Sequence, residues 1–129
     1  MEIYLIEGPE NIGKSSLIYA QYIRCMKTGN FKEIYSDLPN SLDDFIFVLE
    51  NLSTGEYILF NSPTDERSCI VRFNKIINQY NNSKLTKIVT SIRDMNNNPK
   101  LHKWTMDVIK NHYPNATIYT IDLNDLASI

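Results

Sequence analysis

Short apolar runs alternate along this chain with longer amphipathic stretches, and that alternation predicts strands and helices in turn. Ile3-Tyr4-Leu5-Ile6 reads as a fully buried strand, entered almost at the first residue. A helix is expected from Lys14 to about Lys27, burying Leu17, Ile18 and Cys25 and stopping near Thr28-Gly29. Glu33-Ile34-Tyr35 is a short, weak strand. Ser41 then has the character of an N-cap, with Asp43 and Asp44 in the first turn, where the helix dipole favours anions. Leu42, Phe45, Ile46 and Leu49 fall at i, i+3, i+4 and i+7, which predicts a helix with one apolar face. Gly55 turns the chain into the strand Tyr57-Ile58-Leu59-Phe60. Thr64 is placed to cap the next helix, with Asp65 and Glu66 in its first turn and Ile70, Phe73, Ile77 and Tyr80 down one side. Leu85 to Thr90 is a further strand, and Pro99 suits the first position of a helix carrying Leu101, Trp104 and Val108. Thr117 to Ile121 closes the pattern as a strand.

Five strands alternating with four helices predict a three-layer α/β/α fold around a five-stranded parallel sheet, because parallel strands need crossover connections. No composition shift marks a linker, so residues 1–129 read as one domain. At 43% hydrophobic and 22% charged residues the chain can bury a core, which excludes a disordered segment. A net charge of −2 argues against broad binding to nucleic acid or to an anionic membrane. No apolar run approaches the ~20 residues of a membrane span. The stretch Met1 to Glu7 lacks a basic leader and a small-residue cleavage site, so a cytoplasmic protein is expected. Cys25 and Cys69 form no CxxC and read as thiols in a reducing compartment, and His102 and His112 fall outside zinc-ligand spacings.

One segment carries chemistry. Gly8-Pro9-Glu10-Asn11-Ile12-Gly13-Lys14-Ser15 matches G-x-x-x-x-G-K-[ST] at every fixed position, between a buried strand and a helix. For a chain of this composition, a chance match is on the order of one in a thousand. Gly8 permits a sharp exit from the strand, and Gly13 lets backbone N–H groups approach a phosphate. The loop delivers that phosphate to a helix N-terminus, where unpaired N–H groups and the dipole both favour negative charge. Lys14 would then neutralise the β- and γ-phosphates, the Ser15 hydroxyl would ligate Mg²⁺, and Ser16 would donate to the α-phosphate. The bland alternative is a glycine turn capping an ordinary helix.

On this loop and its flanking elements the chain resembles the P-loop NTPases. No D-x-x-G occurs, and Asn74-Lys75-Ile76-Ile77 lacks the final Asp of a GTPase base reader. The segment Ile6-Glu7-Gly8-Pro9 with Gly13-Lys14-Ser15-Ser16 is most similar to thymidylate kinases and deoxyribonucleoside kinases, whose first strand commonly ends in Glu-Gly. The resemblance implies ATP and Mg²⁺ as ligands and Glu7 as the base for an acceptor hydroxyl. The chain departs from those kinases at Phe60-Asn61-Ser62, where an acid followed by Arg is expected, and it is shorter, with no arginine-rich lid.

Further candidates follow from position. Asn61 and Ser62 leave the sheet beside the loop, at the strand ends where ligands bind in such folds. Asn61 could hold Mg²⁺ through water, or simply form a strand-end turn before Pro63. Asp65 is a candidate for the missing acid, although stabilising its helix N-terminus is the favoured role. Asp37 is an acceptor-side candidate, with a turn role favoured. Arg93 is the best-placed guanidinium for a transferred phosphate and Arg67 the second choice. Trp104 reads as packing. The expected function is transfer of the γ-phosphoryl of Mg-ATP to a small acceptor, with Lys14, Glu7 and Arg93 as the reacting set. The alternatives are a partner-dependent ATPase switch or assembly protein, and a nucleotide-binding module without turnover. Only Arg24, Arg67, Arg72 and Arg93 are present, so a second copy or a protein partner completing the site is also expected.

Overall fold

Strands form where the chain offers short runs of β-branched and aromatic residues, and helices where an apolar face recurs every three or four residues. The computed structural model describes residues 1–8, 13–37 and 44–122. In chain order the elements are β1 (Glu2–Gly8), α1 (Lys14–Lys27), β2 (Phe31–Asp37), β3 (Ile46–Asn51), β4 (Tyr57–Asn61), α2 (Arg67–Tyr80), β5 (Leu85–Arg93), α3 (Pro99–His112) and β6 (Thr117–Asp122). The six strands make one sheet in the order β2-β3-β4-β5-β1-β6. The four strands β4, β5, β1 and β6 run parallel, whereas β2, β3 and β4 pair antiparallel. The fold is therefore α/β with a mixed, mostly parallel sheet.

Both faces of that sheet are covered, as the sequence pattern requires. On one face Ile3, Leu5, Leu59 and Ile88 pack beneath Phe73, Ile76 and Ile77 of α2 and Ile109 of α3. On the other, Ile6, Phe47, Phe60 and Val89 pack beneath Ile18 of α1. Full burial of such a side chain stabilises the fold by about 1.5–3 kcal/mol. No described helix is long and apolar enough to cross a membrane.

Two expectations are corrected. The predicted helix across Ser41 to Leu49 is not formed over its apolar part, where Ile46–Asn51 is a strand. Phe45 through Leu49 is one continuous apolar run, and any dense run satisfies i, i+3, i+4 and i+7 by default. All five are buried, alternating between the two faces, which a one-faced helix cannot do. Residues 52–56, too few for a crossover, then turn the chain back into β4. There Asn51 Oδ1 accepts from the Ser53 and Thr54 N–H groups and Gly55 takes a φ of 75°. The result is six strands and three described helices, in place of five all-parallel strands and four helices. The proposed cap at Ser41 lies outside the described residues. The second correction concerns α2, which starts at Arg67 with Glu66 at its N-cap, so Thr64 and Asp65 precede the helix.

The topology also sets which residues lie level with one another across the sheet. Asp37 pairs with Ile46, Ile46 with Asn61 and Asn61 with Thr90, and Gly8 pairs with Arg93 at the ends of β1 and β5, so Asn61, Gly8 and Arg93 mark one edge of the sheet. It is the edge carrying the carboxyl ends of the parallel strands. Neighbouring β1 and β5 lead into α1 and α3, which lie on opposite faces. In open α/β sheets such a divergence marks the crevice, beyond the carboxyl ends of the strands, where ligands bind.

Candidate functional site

At this crevice Gly13 occupies the N-cap of α1 with φ 99° and ψ 14°, a left-handed conformation that strains any residue with a Cβ. A Cβ built there meets nothing within 4 Å, so the demand for glycine is conformational and not a matter of space. Gly13→Ala should accordingly cost about 1–2 kcal/mol of stability through backbone strain alone, read by urea denaturation. An unchanged midpoint would show that the left-handed turn is not held. With no capping side chain at Gly13, the positive end of a fourteen-residue helix faces the crevice.

Lys14 follows directly and is 5% exposed. Its Nζ donates to the Gly8 carbonyl at 2.7 Å, so the side chain reaches back to the end of β1. Ser15 is half-buried beside it and Ser16 exposed. Pro9, Glu10, Asn11 and Ile12, four of the predicted phosphate-loop residues, lie outside the described residues, as does the turn out of Gly8.

A second wall comes from the segment between β4 and α2. Ser62, Pro63 and Thr64 are buried although no element contains them, because hydroxyls fasten them to β5. Ser91 Oγ donates to the Ser62 carbonyl, and Thr64 Oγ1 lies 2.8 Å from Ser91 Oγ. Asn61 Nδ2 donates to Thr90 Oγ1 at 3.0 Å and to the Pro63 carbonyl at 3.2 Å. Asn61 Oδ1 is buried with no partner, an unmet acceptor of the kind that a bound group or water satisfies. The segment so fixed presents Asp65, whose Oδ1 lies 3.9 Å from Lys14 Nζ and 3.5 Å from Arg93 Nη1.

Arg93 ends β5 opposite Gly8, and its carbonyl is 2.9 Å from His102 Nδ1. A carbonyl only accepts, so that nitrogen carries the proton. The same Nδ1 is 3.8 Å from Glu7 Oε1, which brings the Glu7 carboxylate and the α3 imidazole together at the crevice mouth. His102 gets there because Asn98 caps α3, accepting from Leu101 N at 3.1 Å, with Pro99 at the first helical position.

Lys14, Arg93, Asp65 and Glu7 are thus gathered at one edge with Asn61, while Arg67, Asp37 and the Ser62 hydroxyl are engaged elsewhere. Arg67 lies 5.0 Å from the Trp104 ring centroid in a cation–π contact between α2 and α3. Asp37 pairs with Arg72 at 3.3 Å, and Arg72 also binds Asp44 at 2.8 Å. Ser62 Oγ turns inward to accept from Phe45 N. Cys25 and Cys69 are half-buried outside the site, and burial pushes both thiols up, keeping them protonated.

His102 and the Thr64–Ser91 pair escaped the sequence reading. The adjacent hydroxyls Thr90 and Ser91, near the end of an otherwise apolar strand, were a legible signal, since buried hydroxyls need partners. His102 gave no such signal, because only the register of β1 against β5 sets its distance to Glu7. Among the described residues no group of three or more His, Cys, Asp or Glu could hold a metal ion. A cation here would take its remaining ligands from phosphate oxygens and water, as Mg²⁺ commonly does. The chain matches no protein-family model, no curated protein and no solved structure.

Proposed function

We propose that this chain is a P-loop nucleotide-binding domain that uses Mg-ATP as a phosphoryl donor to a small acceptor. The observation that carries the reading is Lys14. A buried ammonium folded back on Gly8, at the start of a helix whose N-cap glycine is left-handed, is the arrangement a triphosphate needs. The residues present fit the metal as well: Ser15 stands next to Lys14, Asp65 supplies a carboxylate, and Asn61 Oδ1 is an unmet acceptor. When bound, Mg²⁺ neutralises developing charge on the phosphate oxygens.

The chain's own residues do the rest. The N-terminus of α1 and Lys14 hold the phosphates, and Arg93 adds a guanidinium from the same chain for the charge that develops in transfer. Glu7 accepts the proton of the attacking hydroxyl, and the His102 imidazole, held by the Arg93 carbonyl, lies 3.8 Å from its carboxylate. With Arg93 already beside Lys14's partner Asp65, the second positive charge does not have to come from another subunit.

Glu7→Gln should lower turnover by about 10²-fold or more while leaving ATP affinity nearly unchanged. A coupled assay on a panel of nucleosides and nucleoside monophosphates measures it. A mutant with normal turnover would return Glu7 to a structural role and remove the kinase reading. The neutral Asn61 at the end of β4 favours a second reading, a nucleotide-binding module or partner-dependent ATPase. Phosphorylated acceptor distinguishes the first reading from free phosphate alone, or from no product.

A further inference from the structure

We infer that Asp65 is the residue that makes nucleotide binding at this site depend on a divalent cation. The inference rests on the triphosphate reading above and assigns the acid that Asn61 cannot supply. One carboxylate oxygen of Asp65 faces both cations that the reading gives to phosphate, Lys14 at 3.9 Å and Arg93 at 3.5 Å. The side chain is 42% exposed, yet its backbone is set by buried neighbours. Ser62 and Thr64 are tied to Ser91, and Asn61 to Pro63, so the backbone leading into Asp65 is held against β5.

A phosphate entering without metal therefore meets a resident anion that competes for Lys14 and Arg93 and repels it. A divalent cation reverses the sign. Hard cations are held by one or two carboxylates together with phosphate oxygens, so Asp65 then lies on the attractive side of the metal. Asn61 is neutral and cannot make this exchange of repulsion for attraction. Its buried, unpartnered Oδ1 is suited to accept from a metal-held water. One charge thus both penalises the metal-free ligand and rewards the metal-bound one.

The test is calorimetric titration of the full chain with ATP, in Mg²⁺ and in EDTA, for wild type, Asp65→Asn and Asp65→Glu. A unit charge at this range in a partly exposed site is worth about tenfold in affinity. Asp65→Asn should bind metal-free ATP about tenfold more tightly than wild type, and its ratio of Mg²⁺ to EDTA affinity should fall by tenfold or more. Asp65→Glu, which keeps the charge, should retain a metal-dependent ratio. Thermal melting confirms that each variant is folded. An Asp65→Asn protein with the wild-type ratio overturns the inference, as does equal weakening in both conditions, which would make Asp65 only a support for Lys14. Wild type that binds no ATP in either condition would instead bring down the triphosphate reading itself.

Discussion

Lys14→Ala is expected to weaken Mg-ATP binding by about 10²-fold or more while the protein stays folded. The ammonium lies between the Gly8 carbonyl and Asp65, at the start of α1, where charge-assisted hydrogen bonds to phosphate oxygens are strongest. Several such bonds at about 1.5–3 kcal/mol each account for the magnitude. The fold should survive because α1 packs through Ile18, with Leu17, Tyr22 and Cys25 around it, and none of these contacts needs the lysine charge. Lys14→Met, which keeps an apolar stem, separates lost packing from lost charge and should bind as poorly as the alanine variant. Calorimetry with Mg-ATP, alongside circular dichroism of both variants, measures the effect. Wild-type affinity in either mutant would falsify the assignment of this loop to phosphate.

Phe47→Ala should destabilise the fold by about 3–5 kcal/mol, measured by urea denaturation. Phe47 is 3% exposed in β3 and stacks on Tyr22 with ring centroids 3.9 Å apart, with Phe45 stacked at 5.0 Å. The contact joins the antiparallel edge of the sheet to α1, which starts at Lys14. The experiment also decides between the two readings of this stretch. In a helix with Leu42, Phe45, Ile46 and Leu49 inward, Phe47 lies off the apolar face and its loss costs little. A change below about 1 kcal/mol would contradict the strand and its packing.

Local signals were enough wherever one short stretch of chain contains its own physical cause. α1 runs from Lys14 to Lys27 as expected, because glycine at the cap and Thr28-Gly29 at the end are readable without any tertiary contact. Asn98-Pro99 starts α3 for the same reason, although the helix buries Leu101, Thr105 and Ile109 and leaves Trp104 and Val108 only partly covered. The strand and helix that flank the G-x-x-x-x-G-K-[ST] segment are equally local, β1 ending at Gly8 and α1 starting at Lys14.

The rest depended on partners far along the chain. The run Phe45 to Leu49 is dense enough to satisfy helical and strand periods alike, and only pairing with β2 and β4 selects the strand. Asp65 could not be separated from an ordinary first-turn acid until Thr64 was seen bonded to Ser91, which holds the segment off the helix and against β5. Arg93 and Glu7 reach the crevice because β1 and β5 are neighbours in parallel register, and His102 reaches Glu7 because α3 starts just beyond β5. Residue types and local caps set which groups are available to this protein. Strand order and register, which depend on non-local burial and backbone pairing, determine which of those charges meet.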